Sequence, residues 1–352
     1  MTLTAVPRSA VIDMVGPVLD DIGNTVRVAI NNHLNAQPPA PWLDNLVADY
    51  PNRGGKAIRP ALCIATCRAF GGTLPEAIPS AAAIELLHNA FLVHDDIEDG
   101  SELRRGLGTL HATEGLPLAL NAGDAMMLEA LSMLRANRQL LGPRTSDRVV
   151  QEFEVMLRHT VRGQAVELGW QRDQVVDLRP DDYLDLIIRK TCWYTTIHPL
   201  RVGALIGGRG RVPLEAFVQF GTYLGAAFQI QDDLLNLVGD ESRYGKELLG
   251  DLFEGKRTLM LNHLLGEVDD RLRADIINGF LALPRSQRTS ADAERILDLM
   301  HQHGSIDFAR AFAGGIKVSA FASFEVAFAD AQPGPDRAFV RNIIDFMLDR
   351  DL

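Results

Sequence analysis

The sequence predicts an all-α protein, a bundle of about ten or more helices. Three observations predict it. Apolar residues recur every three or four positions along most of the chain, which is the spacing of a helix face. Alternating β-branched stretches and two-residue hairpin signals are largely missing. Glycine and proline gather at the joins between periodic stretches, where turns belong.

From Ser9 to about Leu34, Val11, Met14, Val18, Ile22, Val26 and Ile30 mark one face of a first helix, which Pro17 should kink or interrupt. Gly54-Gly55 closes the following segment. Helical spacing then runs over Ile58–Phe70, Leu74–Asp99, Leu116–Leu140 and Ser146–Leu168. It continues over Asp181–Ile206, Leu214–Val238, Leu259–Leu264, Ala291–Gln302 and about the last forty residues. Gly71-Gly72, Gly207-Gly208 and Pro333-Gly334-Pro335 punctuate these stretches. Leu283–Ala293 is polar and mixed in charge, and reads as a loop because helices continue beyond it. No tandem repeat and no internal linker divides the chain, so residues 1–352 read as one domain.

A 47% apolar and 23% charged composition describes a chain that buries a large core. The 46 acidic residues outnumber 35 basic ones, for a formal charge of −11, which argues against a nucleic-acid backbone as general partner. An anionic substrate must meet a local basic cluster or a metal. The three cysteines, Cys63, Cys67 and Cys192, form no disulfide framework and fit a reducing compartment. Cys63 and Cys67 share a helix face, but no second Cys or His pair completes a zinc site, so core packing is the simpler reading. Trp42, Trp170 and Trp193 read as core or interface anchors. With no basic leader followed by an apolar run, and no membrane-length apolar stretch, a cytoplasmic location is expected.

Two acidic clusters interrupt apolar helical sequence: Asp95-Asp96-Ile97-Glu98-Asp99 and Asp232-Asp233-Leu234-Leu235-Asn236. A carboxylate in an apolar helix is costly to desolvate unless a cation or hydrogen bonds compensate. First and fifth residues share a helix face, so Asp95 projects with Asp99 and Asp232 with Asn236. All four present oxygen, which favours Mg2+ or Mn2+ over Zn2+ and leaves coordination positions for water and phosphate. Either cluster alone is equally a solvated acidic face. Basic residues sharpen the choice: Arg104-Arg105-Gly106 follows the first cluster, and Lys56 and Arg59 follow Gly54-Gly55 at the mouth of a helix. Guanidinium forks and helix N-termini suit phosphate oxygens. Lys190, Lys246 and Lys256 supply further positive charge, although any one of them alone is an ordinary surface lysine.

These residues carry a resemblance. The blocks GGKAIRP (54–60), LLHNAFLVHDDIEDGSELRRG (86–106), GQAVEL (163–168), KTCWYTTIHP (190–199) and FQIQDDLLNLVGD (228–240) stand in order, followed by Gly245-Lys246 and the segment from Asp251 to Lys256. In order and spacing they resemble the trans-isoprenyl diphosphate synthases, the polyprenyl synthetase family, over about residues 54–263. The resemblance implies a helical bundle around a deep central cavity, and condensation of isopentenyl diphosphate with an allylic diphosphate. It implies Mg2+, three ions in the family, held by Asp95, Asp96 and Asp99 on one side and by Asp232, Asp233 and Asn236 on the other. Arg104, Lys190, Thr191, Lys246 and Lys256 would then contact the allylic diphosphate. Lys56, Arg59, His88 and Arg105 would hold isopentenyl diphosphate. Phe228 and Gln229 match positions facing the reacting carbons, with Gln164 and Glu167 on another wall. The family is homodimeric.

Several positions depart from the family pattern. Ala57 replaces a second basic residue after the glycine pair, and Asn236 replaces the last aspartate of the second motif. Arg201 stands in an otherwise apolar helix. The mixture of motif variants resembles both geranylgeranyl and farnesyl diphosphate synthases. Chain length should be set by residues preceding Asp95: Phe91 is bulky, Ala90 small, and Leu87, Ile84 and Ala83 lie further down. Small Ala90 suggests room for an extra isoprene unit, and hence geranylgeranyl diphosphate. Two rivals remain: a class I terpene synthase, which would not need the Lys56, Arg59, His88 and Arg105 set, and a non-catalytic partner subunit, which would not need both acidic motifs. His94 beside Asp95 hints at a His-Asp phosphohydrolase, but the supporting histidines are absent.

Overall fold

The computed structural model describes residues 8–239 and 248–348. Among them, α1 (Arg8–Asn35), α2 (Asp44–Asn52), α3 (Ile58–Ala69) and α4 (Leu74–Asp99) lead to a short hairpin, β1 (Leu103–Arg104) and β2 (Leu107–Gly108). Then follow α5 (Leu110–Thr113), α6 (Leu116–Ala136), α7 (Arg138–Arg172), α8 (Pro180–Ile187), a π-helix (Ile188–Ile197), α9 (His198–Gly207) and α10 (Glu215–Val238). The last third holds α11 (Gly250–Glu254), α12 (Leu259–Glu267), α13 (Asp270–Ile276), a π turn (Ile277–Leu281), α14 (Ser290–Gln302), α15 (Ser305–Ala327) and α16 (Pro335–Leu348). The predicted all-α class holds. The sequence reading missed α2, α13, the short helices α5 and α11, and the hairpin, whose turn residues Arg105 and Gly106 both have positive φ, 55° and 76°.

α4 is the central strut. Thr73 and Glu76 form a capping box at its start, with Pro75 in the first turn, and Gly100 ends it at φ 63°. Its middle is nearly all buried, Ala81 to Ile84 and Leu86 to Ala90, so it has no solvent face to pattern. Small residues let α6 come close: a Cβ on Gly123 would stand 2.3 Å from the His94 ring. α1 runs through Pro17 without a break, and its buried face is Val11, Val15, Leu19, Ile22, Val26 and Ile30; Met14 and Val18, expected on that face, are exposed.

One apolar core joins α1–α4, α6, α7, α9, α10, α15 and α16; a second lies under α8, the π-helix and α10–α15, and Trp193 packs against both. Phe220 and Phe324 meet edge to face at 5.5 Å and fasten α10 to α15. The π-helix is gripped by glycines: Cβ atoms at Gly163 of α7 and at Gly221 and Gly225 of α10 would all fall within 3 Å of it. The three cysteines are buried and free, as the core reading expects. Trp42, by contrast, is 84% exposed and anchors nothing within the chain. Arg201 is explained: it forks onto Glu152 at 2.6 and 2.9 Å and donates to the Leu214 carbonyl.

Candidate active site

α4, α6, α7, the π-helix and α10 enclose a cavity of about 480 Å3. Asp95 from α4 and Asp232 and Asp233 from α10 line this one space, with Asp251 at the start of α11. The polar end also holds Arg104, Lys190, Thr191 and Lys256, and Arg59 and His88 line it as well. The apolar part is walled by Phe91, Leu92, Met127, Val161, Tyr194 and Phe228. A charged mouth above a greasy interior suits a ligand with an anionic head and a hydrocarbon tail.

The first cluster is divided by helix geometry, each residue turning about 100° from the last. Asp95 faces the cavity, 3.5 Å from Lys190 Nζ and 3.7 Å from Arg104. Asp96 turns away. It accepts from Tyr50 Oη at 2.5 Å and from Arg104 Nε at 2.8 Å, and so anchors Arg104 rather than joining Asp95 on the wall. Asp99 is off the wall too, its side chain 3% exposed, 3.3 Å from Lys256 Nζ. Burial pushes the Asp99 carboxyl up to about 8, against the pull of Lys256 and with the repulsion of Asp95 and Glu254. Of the three expected ligands, only Asp95 fronts the cavity.

In the second cluster Asp233 receives Tyr183 Oη and Gln229 Nε2, each at 2.7 Å. Burial, and then Asp251, still holds its carboxyl well above the usual range. Asn236 is buried off the wall, its amide oxygen accepting the Asp251 backbone N–H at 3.0 Å. An asparagine makes that bond without adding charge beside Asp233 and Asp251.

Lys190 and Thr191 project from the π-helix, an irregularity often found at functional sites. Lys190 is ion-paired with Glu167; burial works to lower its pKa, but Glu167 and Asp95 outweigh it and keep the ammonium charged. Lys256 lies among Asp99, Asp251 and Glu254. Lys246 lies outside the described residues. Arg104 is presented by β1, and Arg53 clamps the hairpin through the Arg104 and Gly108 carbonyls at 3.2 and 2.9 Å.

The expected second-substrate set splits. Arg59 sits 4.5 Å over the Tyr194 ring, 3.2 Å from His88 Nε2 and 3.0 Å from Thr195 Oγ1. Lys56 is exposed and Arg105 flanks Gly55, both off the cavity wall. Arg105 donates to the Tyr50 carbonyl at 3.0 Å, and Glu85 lies in the electrostatic field of both arginines. Ala57 is buried against Gly23 of α1 at φ 49°, where a long basic side chain has no room. The chain-length expectation needs correction. Ala90 and Leu87 point into the core, because Ala90 is a residue out of phase with Asp95 and Leu87 is covered by packing. Phe91 alone of the three lines the cavity, edge-on to Tyr194 at 5.7 Å.

Sequence reasoning also gave no role to Asp251, Glu98, Tyr50 or Tyr183. An acid at the start of the helix running into Gly255-Lys256 was the one available signal for Asp251. The donor set is carboxylate oxygen throughout, on facing walls rather than in one nest; no group of three His, Cys, Asp or Glu closes around a point among the described residues. That suits a hard divalent cation completed by water and phosphate oxygens.

Residues 40–300 match the polyprenyl synthetase family. The chain belongs to that family. This polyprenyl synthetase is 36% identical over 247 residues to the geranylgeranyl diphosphate synthase of Sulfolobus acidocaldarius, spanning 69% of this chain and 72% of that protein. Its fold matches the geranylgeranyl pyrophosphate synthetase of Pyrococcus horikoshii, with TM-score 0.83 and 27% identity over 96% of this chain and 99% of the other. It matches the polyprenyl synthase of Caulobacter crescentus, solved with calcium and isoprenyl diphosphate, at TM-score 0.82 and 26% identity, over 96% and 98%. As a polyprenyl synthetase it is a prenyltransferase. No helix among the described residues is long and apolar enough to cross a membrane.

Proposed function

We propose that the protein condenses isopentenyl diphosphate with an allylic diphosphate to give geranylgeranyl diphosphate. The observation that carries this reading is that Asp95 and Asp232, 137 positions apart in sequence, front one cavity whose interior is apolar. Mg2+ held by Asp95 on one wall and by Asp232 and Asp233 on the other would draw off the negative charge that develops on the leaving diphosphate. Lys190, Thr191, Arg104 and Lys256, with Lys246, hold that diphosphate. Arg59 and His88, with Lys56 and Arg105, hold isopentenyl diphosphate.

The allylic carbon–oxygen bond breaks and its electron pair leaves with the diphosphate. The isopentenyl double bond then attacks the allylic cation, and a proton leaves the adjacent carbon to the released diphosphate. Phe91, Phe228 and Tyr194 keep water from the cation meanwhile. Gln229 has a second task, orienting Asp233. Support for the C20 product comes from the named relatives, not from Ala90; Phe91 and Met127 are among the apolar residues lining the cavity.

We read residues 1–352 as one cytoplasmic domain that forms a homodimer, for which the exposed Leu116, Leu120, Leu128 and Leu131 of α6 offer an apolar face. The deciding experiment combines Mg2+, labelled isopentenyl diphosphate and each short allylic diphosphate, and reads chain length after dephosphorylation. A C20 product lost on chelation is expected. A hydrocarbon formed from geranylgeranyl diphosphate with no isopentenyl diphosphate consumed would sink the reading in favour of a terpene synthase.

A further inference from the structure

The stretch between the π turn and α14, which reads as a plain polar loop, reaches back to the site. Arg288 spreads its guanidinium between two chain ends. It donates to the Phe280, Leu281 and Leu283 carbonyls at 3.2, 2.8 and 3.1 Å, and to the Leu252 and Phe253 carbonyls of α11 at 3.3 and 2.7 Å. Carbonyls in the last turn of a helix have no partner within it, so one planar cation closes both ends. Gly255 makes room: it has φ 74°, and a Cβ there would stand 2.8 Å from Arg288 Nη1. Arg285, one turn earlier, donates to the Asp99 carbonyl at 3.2 Å and lies 3.6 Å from Glu254. The same short segment thus touches the end of α4 and the C-terminal part of α11, Leu252 to Glu254.

We propose that Arg285 and Arg288 are positioning residues: they fix α11, and with it Asp251 and Lys256, at a set distance from the Asp99 end of α4. This rests on the assignment of Lys256 to the allylic diphosphate. Arg288 itself is not on the cavity wall; its hydrogen bonds all go to backbone carbonyls, and its guanidinium also lies 5.4 Å over the Phe280 ring. Lysine cannot replace it, because an ammonium is a compact point donor, whereas Nε, Nη1 and Nη2 of Arg288 reach the five carbonyls from separate positions on one planar fork. On the isopentenyl side, Arg59 of α3 meets Thr195 of the π-helix and His88 of α4, about three turns before the Asp99 carbonyl that Arg285 holds.

The test compares Arg288→Ala, Arg288→Lys and Arg285→Gln with the unaltered protein. Each is measured for KM of both substrates, for kcat, for Tm, and for calorimetric binding of inorganic pyrophosphate with Mg2+. Arg288→Ala should raise the allylic KM and the pyrophosphate Kd about tenfold or more, with the isopentenyl KM within about twofold. Arg288→Lys should recover little of this, and Arg285→Gln should show the same pattern more weakly, about threefold. Should Arg288→Ala fail to fold, Arg285→Gln carries the test, since the Arg285 side chain is 35% exposed and its hydrogen bond is to the single Asp99 carbonyl. Unchanged pyrophosphate affinity in folded variants, or both KM values rising together with a lowered Tm, overturns the proposal. If the unaltered protein itself binds no pyrophosphate with Mg2+, the functional reading beneath it fails instead.

Discussion

Gly163→Ala tests whether the π-helix is held in place by the absence of a side chain. An alanine Cβ at 163 would stand 2.3 Å from the Lys190 backbone nitrogen and 2.7 Å from its Cα, where ordinary contact begins near 3.4 Å. Both neighbours are backbone, so no side chain can swing aside; α7 and the π-helix must part by about 1 Å. Overpacking of this kind costs about 1–3 kcal/mol, which for a chain of this length lowers Tm by a few degrees at most. Activity should suffer more. The displaced residue is Lys190, whose partner Glu167 lies one turn beyond Gly163, and a misplacement of about 1 Å can cost roughly 100-fold in rate. The assay is steady-state kcat/KM for the allylic substrate, with Gly169→Ala as control: that glycine lies on the same helix with nothing within 4 Å of its Cβ position. The control should keep its rate and gain about 0.5–1 kcal/mol of helix propensity. A Gly163→Ala enzyme with the kinetics of the control would refute the reasoning.

Phe91→Ala should lengthen the product, since Phe91 is a bulky cavity-lining side chain one turn before Asp95, edge-on to Tyr194; an unchanged product spectrum after dephosphorylation would remove it as the floor. Arg201→Met alone should cost about 3–5 kcal/mol by stranding Glu152, because both side chains are nearly buried, and Arg201→Met with Glu152→Leu should restore most of the Tm. Burial, and then nearby Arg201, lowers the pKa of His198 to about 3. The unfolded chain, with a pKa near 6.5, therefore takes up a proton that the folded one refuses, and stability falls by about 1.4 kcal/mol per pH unit from about pH 6.5 towards 3. His198→Leu should flatten Tm against pH across that window; a parallel curve would show that the ring is not responsible. Pyrophosphate should bind far more weakly without Mg2+ than with it, as calorimetry would show directly.

What was legible in the sequence depended on local rules. Asp95 and Asp232 stood out because carboxylates in apolar helices need a reason, and apolar spacing alone gave the limits of α4, Leu74 to Asp99, where the structure has a capping box and a glycine cap. Arg59 and His88 were found by their motif. The rest was settled by tertiary packing. Nothing in KTCWYTTI announces a π-helix, which arises where glycines of α7 and α10 press against the chain. Ala90 looked like space because its size was visible and its direction was not; α6 and α7 supply the cavity wall instead. Asp96 was counted with its neighbours until Tyr50, on an unpredicted helix, took its second oxygen. Arg288 read as loop because its partners are carbonyls, which no side-chain pattern reveals.

The described cations assigned to the allylic diphosphate already have carboxylate partners: Lys190 has Glu167 and Asp95, Lys256 has Asp99, Asp251 and Glu254, and Arg104 has Asp96 and Asp95. A diphosphate entering alone would gain those cations only by setting their carboxylates free inside a poorly hydrated cavity, where an unpaired charge is costly. Divalent ions entering alone would meet the same carboxylates with lysines already upon them. Entering together, the two satisfy both sets at once, because each releases the partner that the other needs. Burial, with the like charge of Asp95 and Glu254, raises Asp99 against Lys256, and burial with Asp251 raises Asp233 against Tyr183 and Gln229, so at both carboxyls the charged form is the one an arriving cation would favour. Coupling between metal and substrate therefore follows from how the chain has paired its own charges: a diphosphate brings enough negative charge to free the lysines and enough oxygens to complete a hard cation's shell.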